Sequence, residues 1–340
     1  MIRTLLRGGW LFLLAAAASL QGRPEINLFA WSEYVPQKVI DGFTRETGIA
    51  VNYETFSSNE EMVSKLVAGG GDYDVIQPSE YTAEALIKAN LLAKLDLARL
   101  PHLRNIDPDL RHLPFDPGGD YEVPYMSGTV GIVVNTAVVH DPIHGFQDVF
   151  QPSFSGRIIV VNDNREMVSW ALATLGHSAN DINAETLKQV RPVIAQWIKL
   201  IKVYDSDSPK TALLNGDVDL GVVWSGEAAI LWNQDRKFRY VLPAEGTHRF
   251  IDLLAMPVGA PHPREALQFI DYILRPEVSV LISNEFPYTN PNLAARALLT
   301  PEQRANPASY PAVGKLEIFR DIGKQSAAVD RLMTDLKSAQ

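Results

Sequence analysis

The chain has 340 residues, with 40 Asp and Glu against 31 Lys and Arg, a formal net charge of −9 and no cysteine. That length makes two domains the default, and an acid excess without any basic run speaks against a nucleic-acid partner. The lack of cysteine excludes disulfides, thiolate metal sites, iron–sulfur clusters, cysteine nucleophiles and the cysteine-linked lipid anchor of an exported protein.

Residues 1–22 read as a secretory signal peptide. Arg3 and Arg7 form a positive start, 10–20 is an apolar alanine-rich run, and Ala16, Ala18 and Ser19 offer small residues for cleavage. The run is shorter than the about 20 apolar residues a membrane span needs. Its removal would take the net charge from −9 to −11.

The remaining chain alternates strand and helix. A strand is predicted over 26–30, a helix over 37–47 ended by Gly48, a strand over 50–55, and a helix over 59–68 stopped by Gly69, Gly70 and Gly71. A buried strand at 74–76 and a helix over 81–89 follow. This alternation predicts an α/β lobe with a mostly parallel sheet. Residues 127–136 read as a long extended crossing into a second lobe, with a strand at 158–161, helices near 168–175 and 184–201, and a strand at 220–224. A return crossing is expected over 250–258, followed by a helix over 263–273. The predicted division is lobe one over 23–128 and 251–298, lobe two over 129–250, and C-terminal helices over 299–340 packing on lobe two. Two α/β lobes joined by crossing strands place a ligand cleft at the strand carboxyl ends.

Motifs for catalysis or metal binding do not emerge. The glycine run at 69–71 lacks the Lys-Ser/Thr of a phosphate loop, no Gly-x-Ser-x-Gly elbow occurs, and the seven histidines lack a metal spacing. The carboxylates Asp107, Asp109, Asp116 and Asp120 lack the spacing of a calcium loop. The sequence therefore predicts no enzyme and no cofactor or metal.

What does recur is an aromatic–acidic grouping at predicted strand ends. Trp31-Ser32-Glu33-Tyr34 follows the first strand and Pro78-Ser79-Glu80-Tyr81 the third. Asp163-Asn164-Arg165-Glu166, Trp224-Ser225-Gly226-Glu227 and Phe250-Ile251-Asp252 repeat the pattern in and beside the second lobe. These are the groups a diamine requires. Carboxylates give charge-assisted hydrogen bonds to each ammonium, and aromatic faces add about 0.5–2 kcal/mol of cation–π attraction. The same faces cover the methylenes, each worth about 0.8 kcal/mol on burial.

The stretches WSEYVP, ETGIAVNYETFSSNEEM, YDVIQPSEY, NIDPDL, VPYMSGTVGIVVN and YTNPNLAAR, in order along nearly the whole mature chain, resemble the spermidine/putrescine-binding proteins of bacterial polyamine importers. The resemblance implies a two-lobed periplasmic binding protein fold of type II with a hinged interlobe cleft. It also implies an inner-membrane ABC permease as partner; with the signal peptide and the lack of cysteine, the expectation is a periplasmic protein without a lipid anchor, and a monomer. By position it implies Trp31, Ser32, Glu33, Tyr34, Ser79 and Tyr81 as ligand contacts of lobe one, and Asp163, Glu166 and Trp224 as those of lobe two. Asp252 is implied as the carboxylate that grips an ammonium, and Tyr288 as a further contact. Phe250 where spermidine binders carry Trp, Glu227 where putrescine binders carry an acid, and Phe319 where spermidine binders carry Gln favour putrescine, while Tyr81 resembles the spermidine type. The same fold could instead serve a polyamine sensor that reports to a membrane receptor. An amino-acid ligand would call for a cleft arginine, for which Arg165 is the candidate.

Overall fold

The computed structural model describes residues 23–69, 72–312 and 314–339. The expected signal peptide, and Gly70 and Gly71 of the expected helix stop, lie outside the described residues.

Among the described residues ten strands join in one sheet: β1 (Glu25–Trp31), β2 (Ala50–Phe56), β3 (Val75–Ile76), β4 (Glu122–Asn135), β5 (Ile158–Val160), β6 (Ile201–Tyr204), β7 (Leu220–Trp224), β8 (Phe238–Val241), β9 (Thr247–Ala255) and β10 (Leu316–Glu317). The order is β2-β1-β3-β9-β4-β7-β5-β6, with β8 on β4 and β10 on β9. β1 runs parallel to β2 and β3, and β5 parallel to β6 and β7. Between these two parallel groups β4 and β9 lie antiparallel to each other. All 14 residues of β4 are buried. Its first half pairs with β9 and its second half with β7 and β8, so one strand belongs to both groups.

Each group has its own core on both faces, as side-chain alternation along a covered strand requires. In β1, Ile26, Leu28 and Ala30 face one core while Phe29 faces the other. In the second group Ile158 and Val160 of β5 point to one side and Ile159 to the other. Two such cores joined through β4 and β9 make a two-lobed α/β molecule.

Local chemistry sets the helices that frame the strand ends. The helix Gln37–Thr47 buries Val39, Ile40 and Phe43 and closes at Gly48, whose φ of 76° suits glycine and lets its N–H donate to the Thr44 carbonyl. The helix Asn164–Thr174 begins on Asp163, whose carboxylate accepts from the Glu166 N–H. Ser79 stands in the same position before the helix Glu80–Lys88, yet its hydroxyl makes no cap bond and donates instead to Asp252.

Several elements differ from the sequence expectations. The helix expected over 184–201 ends at Trp197, and Ile201–Tyr204 becomes β6, because β5 offers it a parallel partner. β8 and the helix Ser225–Gln234 were not foreseen. That helix follows β7 without a break and buries Ala228, Ala229 and Leu231 with no polar stripe to mark its period. After residue 299 the chain touches both lobes. Val329, Leu332, Met333 and Leu336 of the helix Ser326–Ser338 enter a core of the β5 group, whereas Arg320 donates two hydrogen bonds to Glu84 beside the β1 group.

Candidate functional site

A cavity of about 1050 Å³ opens between the lobes at the carboxyl ends of β1, β3, β5 and β7. All thirteen residues singled out in the sequence line it. Trp31 ends β1, and Ser32, Glu33 and Tyr34 form the turn after it; Glu33 takes a left-handed φ of 52° there. Strain of this kind in a non-glycine residue is held by its surroundings and clusters at functional sites. Ser79 and Tyr81 sit at the start of the helix after β3, Asp163 and Glu166 at the start of the helix after β5, and Trp224 and Glu227 where β7 becomes a helix. Phe250 and Asp252 project from β9, and Tyr288 follows the helix Pro276–Glu285. Ten carboxylates line the cavity against the basic side chains of Arg165, His248 and Lys337.

Asp252 is buried and held by two hydroxyls. Tyr34 Oη donates to one carboxylate oxygen and Ser79 Oγ to the other, each at 2.6 Å. Asn59 holds Ser79 from both sides, accepting from its N–H at 3.2 Å and donating to its hydroxyl at 3.2 Å, and also donates to Tyr81 Oη at 2.9 Å. Burial pushes the Asp252 carboxyl up to about 7 despite these two hydroxyl bonds. Burial and the neighbouring Glu166 push Asp163 up to about 6.

The aromatic walls are mutually braced. Phe250 meets Trp224 edge to face at 5.7 Å and Tyr288 at 5.8 Å, and Tyr34 lies 5.5 Å from Tyr288. The Trp224 indole donates to the Ser206 carbonyl at 3.0 Å, fixing the ring plane. Two glycines make room for these rings. A Cβ on Gly128 would stand 2.3 Å from Phe250, and one on Gly226 2.3 Å from Tyr288. Gly226→Ala is therefore expected to drive Tyr288 from its place, costing about 1–3 kcal/mol of ligand affinity or stability. Calorimetry with ligand and melting without it would measure the two parts; a variant matching the wild type in both would contradict the packing argument.

Two expected contacts have occupied carboxylates. Glu166 accepts from His248 Nδ1 at 2.6 Å and from the Trp170 indole at 3.1 Å. Glu227 holds Lys210 Nζ at 2.9 and 3.1 Å, and the same ammonium lies 3.6 Å from Glu33. Burial raises Glu227 while Lys210 opposes the rise. Arg165 lies with its guanidinium 4.6 Å from the Phe319 ring centre and donates to Asn180 at 3.1 Å.

His248, Glu80, Asn59 and Lys210 were not singled out in the sequence. His248 had a signal, because 248, 250 and 252 fall on one face of a strand and all three line the cavity. Glu80 stood in a quoted grouping but is fully buried, accepting from His248 Nε2 at 2.8 Å and from the Ile251 N–H at 2.9 Å. Nothing local marks Lys210.

This architecture has close counterparts. The chain is 34% identical over 344 residues to the spermidine/putrescine-binding periplasmic protein of Salmonella typhimurium, covering 99% of both chains. It is 30% identical to the putrescine-binding periplasmic protein PotF of Escherichia coli, covering 91% of this chain and 89% of that one. Among solved structures, the spermidine/putrescine ABC transporter substrate-binding protein PotD of Streptococcus pneumoniae superposes with a TM-score of 0.81 at 30% identity, over 93% of this chain and 99% of that one. The fold is that of the type II periplasmic solute-binding proteins. The profile of bacterial extracellular solute-binding proteins matches residues 38–312, and the chain belongs to that family.

Proposed function

We propose that the protein is a periplasmic receptor that captures a polyamine, putrescine in preference to spermidine, and delivers it to an inner-membrane ABC permease. The observation that carries this reading is Asp252, an enclosed carboxylate set by two hydroxyls among Phe250, Tyr288 and Tyr34 in a cavity rich in acids. An ammonium docked there exchanges its hydration for a charge-assisted bond, and its methylenes lie against the rings. The names of the relatives in Salmonella and Escherichia coli point to the same ligand class. In this reading residues 23–128 and 251–298 form one lobe and 129–250 the other, and ligand binding draws them together. Among the lining residues, the thirteen singled out in the sequence are the ligand contacts, with Glu166 and Glu227 acting through the cations that already occupy them.

No helix among the described residues is long and apolar enough to cross a membrane. A receptor that releases its ligand to a permease needs no such span.

Titration of the mature protein with putrescine, cadaverine, spermidine and spermine tests the proposal. Trp31 and Trp224 lie in the cavity wall at the ends of β1 and β7, so closure around an amine should change their fluorescence. Binding in the micromolar range, about −8 kcal/mol, is expected for putrescine. No binding of any of the four amines at millimolar concentration would refute it.

A further inference from the structure

His248 is placed where a ligand cation would be expected. Its Nδ1 lies 2.6 Å from Glu166 and its Nε2 2.8 Å from Glu80, and both acids are buried. A neutral imidazole has a single N–H, whereas two carboxylate acceptors call for two, so the ring is an imidazolium. Burial opposes that charge, but Glu166 and Glu80 outweigh it and hold the ring protonated to about 10. Phe319 stacks on it at 3.5 Å with the planes 3° apart, and the Phe319 N–H donates to Glu80 at 3.2 Å. The ring thus cannot turn away from either acid, while its edge and Glu166 both face the cavity.

Glu227 shows the same arrangement, with Lys210 Nζ on both of its oxygens. Asp252 and Asp163 differ. Neither makes an ion pair within 4.0 Å among the described residues. Of the four cavity carboxylates Asp252, Asp163, Glu166 and Glu227, the first two lack a cation and the last two already hold one.

We propose that His248 is a specificity-determining residue whose imidazolium fills the ammonium position beside Glu166, so that the cleft accepts a diamine and rejects a triamine. This inference rests on the polyamine reading above. A diamine brings two charges to Asp252 and Asp163. The third ammonium of spermidine would meet an imidazolium in a desolvated cleft, where like charges repel with little screening.

Calorimetric titration of the wild type and of His248→Gln with putrescine and spermidine tests the inference. The wild type is expected to bind putrescine about tenfold or more tighter than spermidine. Glutamine is neutral and keeps a donor for Glu166 or Glu80. It leaves one acid without a cation, and the affinity ratio is expected to move toward spermidine by about tenfold. A wild type that binds spermidine as tightly as putrescine overturns the inference without any variant, so it stays testable even if His248→Gln does not fold. A folded His248→Gln with an unchanged ratio, or with equal loss for both amines, also overturns it and assigns His248 to holding the lobes. Each of these failures leaves polyamine binding standing, although equal wild-type affinities would also remove the preference for putrescine, whereas binding of neither amine by the wild type would remove the whole reading.

Discussion

Asp252→Asn is expected to weaken putrescine binding about a hundredfold or more while leaving the protein folded. Asparagine keeps the volume and one carbonyl acceptor, so either Tyr34 Oη or Ser79 Oγ retains a partner; the other hydroxyl faces an amide that donates. What disappears is the charge. An ammonium held between Phe250 and Tyr288 without a carboxylate has lost its water and gained no ion. Truncating one partner of a buried charge pair costs about 2–5 kcal/mol, and each 1.4 kcal/mol is about tenfold. The ligand-free fold responds in the opposite sense, since the substitution removes a carboxyl that burial already disfavours as an ion. Calorimetry with putrescine and a melting curve without it would separate the two effects. Binding within about threefold of the wild type would mean that Asp252 does not receive the ammonium.

The parts of this site that were legible in the sequence are the ones that local pattern controls. Trp31, Tyr34, Ser79, Tyr81, Asp163 and Trp224 stand at or just beyond the carboxyl ends of strands that their own pattern announces, and in a parallel sheet that position is the cleft edge. The crossing strands were legible in part: long apolar runs announced them over 127–136 and 250–258, but β4 begins at Glu122 and β9 at Thr247. Pairings made by distant residues were not. Lys210 reaches Glu227 across 17 positions, and no periodicity couples a short helix after β6 to one after β7. Glu166 was legible as a cleft residue, but its carboxylate is taken by His248, 82 residues away on β9. β6 and β8 went unseen because strands of 4 residues acquire their identity from the partner strand rather than from their own pattern. Gly128 and Gly226 carry no local signal either; each is required by a ring that arrives from elsewhere in the chain.

Putrescine affinity is expected to fall about a hundredfold between pH 7.5 and about pH 5 from Asp252 alone, and about tenfold further from Asp163, with proton release on binding. Burial sets the Asp252 carboxyl at about 7 in the ligand-free protein, against an ordinary 3.8, so near neutrality about half the molecules carry a proton there. The ligand ammonium binds the ionised form and must expel that proton. Each pH unit below about 7 then costs about tenfold, and Asp163, pushed to about 6, adds to the loss. The ligand keeps both charges throughout, since aliphatic ammonium groups titrate near 10. Fold stability linked to Asp252 has the other sign. Its raised value means that the folded state holds the proton more tightly, so its contribution is full below about pH 4 and is lost as pH rises through about 7. Acid therefore weakens ligand binding while favouring the ligand-free fold at this residue, which separates the affinity loss from acid unfolding. Calorimetry in two buffers of different ionisation enthalpy would count the protons, with release from Asp252 rising from about one half at pH 7 toward one near pH 6. A pH-independent affinity with no proton release across this range would place the ammonium away from Asp252.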